Sequence, residues 1–371
     1  MKNIVLFAGI AGAALYSSNA FADDQRQVLM VLSSYGAVDE NQTLIKPGFE
    51  FGELTKAYYV FKRHGIEVTL ASPLGGKPIA DNYDKSAVYN EKFLKDEAAL
   101  SSLANTYKLS EINANQFDGV FVVGGKGPMF DLHQYEPLKE IIAKIYQRQG
   151  VIGAVCHGPA ALVDVKLNDG QYLVSGKRVN GFTNEEENAF GSKWLKDFPF
   201  LLQDKLVERG GIFEQDAVML NQVTIDGRLI TGQNPFSTVD TARAMVSALD
   251  IELLPEQYYR DDATVKLYEL FLNDRQLAID KLQKEPQIYD FKMLAMISVV
   301  QINNATSEFQ VSASAALLEY ILPQFSHPII ITTLAKAYVR LNQFDDASTV
   351  LESGIKKFPD NQKIKDFIAS L

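Results

Sequence analysis

The chain has 371 residues, too many for one ordinary core, and its composition, 47% hydrophobic and 22% charged, is that of a globular protein of two or three domains. A formal net charge of −10, with no basic run to neutralise phosphates, argues against a nucleic-acid partner. The single cysteine, Cys156, cannot pair within its own chain, so no disulfide framework holds this protein together.

The N-terminus reads MKNIVLFAGIAGAALYSSNAFADD, with Lys2, then an apolar stretch from Ile4 to about Tyr16, then the small residues around Ala20-Phe21-Ala22. This is the three-part layout of a secretory signal. Residues 1–22 are expected to be removed after Ala22, leaving a periplasmic or secreted protein with no membrane attachment. The apolar stretch is well short of the ~20 residues that span a bilayer.

From Gln27 to about Leu249, short apolar runs alternate with helical spacing. QVLMVLSS (27–34) reads as a buried strand, and GELTKAYYVFKRHG (52–65) as a helix with Leu54, Tyr58 and Phe61 on one face, closed by Gly65. IEVTLASP (66–73) is the next strand and FDGVFVVGG (117–125) another. Between them, 77–116 is polar and mixed, an inserted loop-and-helix excursion. PLKEIIAKIYQRQG (137–150) is an amphipathic helix that leads into the strand VIGAV (151–155). QVTIDGRLITGQNP (222–235) has a hairpin signal, with Asp226-Gly227 at the turn. Strands alternating with helices predict a mostly parallel sheet covered on both faces.

After Pro255 the strand signals stop. The expected division is a signal at 1–22, an α/β domain at 23–255 and an all-α domain at 256–371. In the last stretch, Leu334, Ala335, Tyr338, Ala347, Leu351, Gly354 and Pro359 follow tetratricopeptide spacing, with Ile331 at the usual tryptophan position. Two degenerate helical hairpins precede it. A helical tail of this kind is expected to offer a surface for a protein partner.

Cys156 directly follows the strand VIGAV and precedes His157 and GPAALVDV, which can start a helix. A nucleophile on a sharp strand-to-helix turn is pushed out above the sheet. The following helix would place its free N–H groups and positive dipole end beneath the thiol, which is expected to lower its pKa. A lone thiol in an oxidising compartment is either buried or used. His157 is adjacent, so its ring needs a separate group to hold it beside the sulfur, and Glu185, Glu186 and Glu187 in GFTNEEE are candidates. The glycine pair Gly124-Gly125 in VVGGKGPMFDL ends another strand, where a bare N–H could face an oxyanion. Asn234 and Pro235 read as a structural turn. His64, His133 and His327 lie in different contexts, no pair has metal-ligand spacing and there is no second cysteine, so no metal site is expected.

Together, AVCHGPAAL, VVGGKGPMFDL, GFTNEEE, LASPLGG and LITGQNP resemble the ThiJ/PfpI superfamily, the class I glutamine amidotransferase-like fold. They are most similar to its glyoxalase III and heat-shock chaperone branch, over about residues 27–250. The resemblance implies a flavodoxin-like parallel-sheet sandwich followed here by an all-α repeat-like domain. It also implies Cys156 as nucleophile, His157 as its partner, Glu187 as the residue orienting the histidine, and Glu53 as the acid against the thiol. Gly125 and the His157 N–H match the oxyanion hole, and Gly124 and Lys126 are substrate-pocket candidates. Lys126 departs from the branch, which usually carries histidine after the glycine pair. Family members are often dimers, which makes a homodimer an expectation here.

The implied activity is cysteine-dependent chemistry on small reactive carbonyls, glutathione-independent conversion of methylglyoxal to lactate or deglycation, which needs no metal or organic cofactor. Two other classes stay open at this point. One is a cysteine hydrolase acting on amides or peptides. The other is a stress chaperone or redox-sensing scaffold that binds partners through its helical tail.

Overall fold

The computed structural model describes residues 25–191 and 193–370; the expected signal segment lies outside the described residues. The centre of the α/β part is a seven-stranded sheet. From one edge to the other its strands are Val223–Asp226, Leu229–Gly232, Val151–Val155, Gly119–Val122, Gln27–Val31, Glu67–Ser72 and Tyr107–Lys108. All neighbours run parallel except the first pair, the hairpin turned by Gly227. Residues 119–122 and 151–155 are buried at every position, because helices cover the sheet on both faces. The Phe51–Arg63 helix and the Thr238–Ala248 helix pack against each other and the sheet, while Glu136–Gln147 covers the 119–122 and 151–155 strands.

The polar excursion at 77–116 folds into two short helices, Val88–Lys95 and Glu97–Ala104, and then supplies the two-residue edge strand Tyr107–Lys108. So short a strand in a polar segment leaves no apolar alternation to read.

From Arg260 onward the chain is helical, in helices at 260–273, 275–284, 291–304, 308–321, 328–340, 344–357 and 362–370. Successive helices pair as hairpins around a second apolar core. Gly354 explains how closely the 328–340 and 344–357 helices approach: a β-carbon there would lie 2.6 Å from the Ile331 side chain.

Several contacts join the helical region to the α/β part, among them the Lys266–Asp240 ion pair at 2.9 Å. Lys56, on the 51–63 helix, is buried, and its ammonium bonds Asp261 and Asp262 at 2.6 Å each. The loop at 216–221 inserts Val218, Met219 and Leu220 into the second core. There Gln301 Nε2 donates to the Val218 carbonyl, and the Asn221 N–H donates to Glu269.

Candidate active site

Cys156 stands one residue beyond the 151–155 strand with a φ of 59°, a left-handed conformation that costs a non-glycine residue on the order of 1–2 kcal/mol. The strain persists because both backbone groups are fixed: Cys156 N–H donates to Gly232 O at 2.9 Å, and its carbonyl accepts from Phe182 N–H at 2.8 Å. Gly158 completes the turn, since a β-carbon there would collide with the Val122 carbonyl.

The expected helix after this turn is only a 3₁₀ stretch, Gly158–Leu162. Five residues build little macrodipole, so the expectation of a thiol pKa lowered by a helix end is corrected. Burial pushes the Cys156 thiol well above its ordinary range, and the Glu53 carboxyl pushes it further. The Gly125 N–H, which points at the sulfur, and the charge of Lys126 act in the other direction. The thiol is 4% exposed.

Cys156 Sγ lies 3.3 Å from His157 Nδ1, and His157 Nε2 lies 2.7 Å from Glu187 Oε1. Neighbours in sequence can make this contact because the kinked backbone turns both side chains the same way. The imidazole is stacked on Phe182, with ring centroids 4.5 Å apart, and meets the edge of Phe198. Glu187 sits in the first turn of the Asn184–Phe190 helix, whose start is set by a capping box between Thr183 and Glu186.

Glu53 approaches from the first helix. Its Oε2 accepts the Gly124 N–H at 2.7 Å, and its carboxyl also meets the Cys156 thiol. Burial, then the neighbouring Glu50, raise its pKa well above the carboxylate range. Gly124 makes the approach possible, for a β-carbon there would lie 2.7 Å from Glu53 Oε2 and 2.8 Å from Cys156 Cβ. Gly125, at φ +83°, has no room for a side chain against the Glu50 backbone.

Glu187 stands behind His157, and Cys156, His157, Glu53 and Gly125 line a cavity of about 350 Å³. Lys126 is on its wall, whereas Gly124 lies behind it, supporting Glu53 and Cys156. The structure therefore brings Cys156, His157, Glu187, Glu53, Gly125 and Lys126 together and places Gly124 beneath them.

Four residues have roles that the sequence reading missed. Glu50 lines the cavity and caps the first helix through Gly52 N–H; burial raises its pKa from 4.5 to about 7. Glu186 is buried and accepts from Thr183 N–H and Oγ1, Met219 N–H, Gln233 Nε2 and Asn234 Nδ2, which ties the glutamate run to the 216–221 loop. Its T-x-x-E capping spacing was the available signal. Asn234, expected only as a turn residue, caps the next turn and also lines the cavity. The fourth is Met296, from the helical region, on the same cavity wall.

Residues 43–248 match the DJ-1/PfpI family. A curated relative, glyoxalase 3 of Candida albicans, is 31% identical over 242 residues, which are 60% of this chain and 98% of that protein. A glutathione-independent glyoxalase of Schizosaccharomyces pombe is 32% identical, over 59% of this chain and 94% of its own length. Among solved structures, the 24 kDa rapid encystment protein of Francisella tularensis superimposes with a TM-score of 0.57 at 34% identity, covering 61% of this chain and 99% of that one. The crystal structure of glyoxalase III from Candida albicans gives 0.54 at 28% identity, covering 61% and 98%.

Proposed function

We propose that this chain, which belongs to the DJ-1/PfpI family, is a glutathione-independent glyoxalase that converts methylglyoxal and water to lactate. The observation that carries the reading is the linear contact Cys156–His157–Glu187 at the floor of a small cavity, with the Glu53 carboxyl against the same sulfur.

Glu187 accepts the Nε2 proton of His157, which leaves Nδ1 bare to take the thiol proton as the sulfur attacks. A thiol held protonated by burial suits this transfer, because the thiolate forms only as the proton leaves. The Cys156 sulfur bonds to the aldehyde carbon, the carbonyl electron pair moves to oxygen, and the oxyanion is held by the Gly125 and His157 N–H groups. His157 or Glu53 then removes the hydrogen of that carbon as a proton, giving an enediol. Protonation of the adjacent carbon leaves a thioester. Water breaks the C–S bond, lactate departs and the thiol recovers its proton. One substrate carbon is oxidised and its neighbour reduced, so no external oxidant is needed.

The enclosed floor suits a small carbonyl better than an extended peptide, and a buried thiol with a raised pKa is poorly placed for oxidant sensing. We further read residues 1–22 as an export leader, which N-terminal sequencing of the protein from a periplasmic or culture fraction checks.

The test is lactate formation from methylglyoxal without glutathione, by the full chain and by Cys156→Ala. Turnover that disappears in the variant is the expected result. No lactate from the unaltered protein would refute the glyoxalase reading.

A further inference from the structure

The cavity is larger than the substrate named above. Methylglyoxal has five non-hydrogen atoms and fills on the order of 100 Å³, about the volume of three waters. The cavity holds about 350 Å³. The charged side, formed by Glu50, Asp81 and Lys126, flanks the reacting groups. Beyond them the lining is mostly apolar, with Phe182, Phe190, Met219, Phe236 and Met296 outnumbering the polar Glu186 and Asn234.

Two of these side chains owe their place to the helical region. Met296 belongs to the Phe291–Asn304 helix, whose neighbouring residues Ala295 and Ile297 are buried in the second core. Its own side chain is left 45% exposed at the cavity. Met219 sits on the 216–221 loop, held on one side by Gln301 and Glu269 of the helical region. On the other side its N–H donates to Glu186, next in sequence to Glu187. The α/β fold therefore supplies the chemistry, and the helices complete the wall opposite it.

We propose that the helical region is a working part of the active site, in which Met296, with Met219, forms an apolar subsite that selects 2-oxoaldehydes carrying an apolar substituent. The proposal rests on the glyoxalase reading. The aldehyde would sit at Cys156 while the substituent lies against the methionine side chains, whose flexible thioethers fit a flat or branched group.

The test compares kcat/KM for methylglyoxal and phenylglyoxal, without glutathione, in the full chain and in Met296→Ala and Met296→Leu. The unaltered protein should prefer phenylglyoxal. Met296→Ala should lower kcat/KM for phenylglyoxal on the order of tenfold more than for methylglyoxal, mainly through KM. Met296→Leu should keep most of the preference. Equal losses on both substrates, no loss on either, or no initial preference would overturn the subsite while methylglyoxal turnover left the glyoxalase reading standing. Inactivity of the unaltered chain on both substrates would refute both readings.

Discussion

Glu187→Gln isolates the charge behind His157. The amide is nearly the size of the carboxylate, and its oxygen can still accept the Nε2 proton across the 2.7 Å contact. What disappears is the negative charge facing the imidazolium that forms when His157 takes the thiol proton. Both side chains are 1% exposed, so water cannot replace it. Hydrogen bonds to charged partners contribute roughly 1.5–3 kcal/mol against about 1 for neutral ones, so the transition state should rise by roughly 1–2 kcal/mol. At about 1.4 kcal/mol per decade of rate, kcat/KM should fall by roughly 5- to 30-fold. The assay is initial-rate lactate formation, run beside the rate of Cys156 alkylation, which should slow by a similar factor. An unchanged rate in both would refute the role given to Glu187. A loss as complete as that of Cys156→Ala, with the fold intact by circular dichroism, would mean that Glu187 takes part in more than orienting the ring.

Gly124→Ala should lower activity by on the order of 100-fold, because the new methyl would push Glu53 and Cys156 apart, and sub-ångström displacements of reacting groups are costly; rates above a tenth of the original would argue against this packing. Glu50 makes stability fall as pH rises. Its folded pKa, about 7, lies above 4.5, so between those values the native state holds the extra proton. Glu50→Gln should remove on the order of 3 kcal/mol of the stability lost between pH 4.5 and pH 8, measured by urea unfolding at both; an unchanged pH slope would refute the assignment. Lys56→Met should cost about 3–5 kcal/mol in the same measurement at neutral pH, since it leaves Asp262 buried beside Asp261 without a counter-charge; a cost below about 1 kcal/mol would show that water reaches the pair.

Apart from the two-residue edge strand Tyr107–Lys108, the order of the sheet strands and of the helices packed on them was legible because each carries an apolar run or periodicity of its own. The 151–155 strand, the 51–63 helix and the 223–232 hairpin all announce themselves in this way. The contact of His157 with Glu187 was accessible only through the motifs, since nothing local says which of three successive glutamates turns inward. The ionisation of Cys156 was misjudged because it depends on burial and on Glu53, which is about a hundred residues away in sequence and adjacent only once the sheet has formed. Met296 is still further from the nucleophile. It lies on a helix buried on most sides, so its sequence context resembles core and gives no hint of a cavity.

The Lys56 contact bears on how this protein could be shortened. Ending the chain after Pro255 would produce a piece close in length to the glyoxalases that it resembles, but not their equivalent. Val218 and Leu220 would be left without the apolar surroundings they now have. The helix that carries Glu53 would lose the two carboxylates bonded to Lys56, one turn further on. Such a fragment would be sticky at one edge and loosened beside its nucleophile, so its inactivity would say little about the whole enzyme. Point variants in the intact chain are the cleaner instrument.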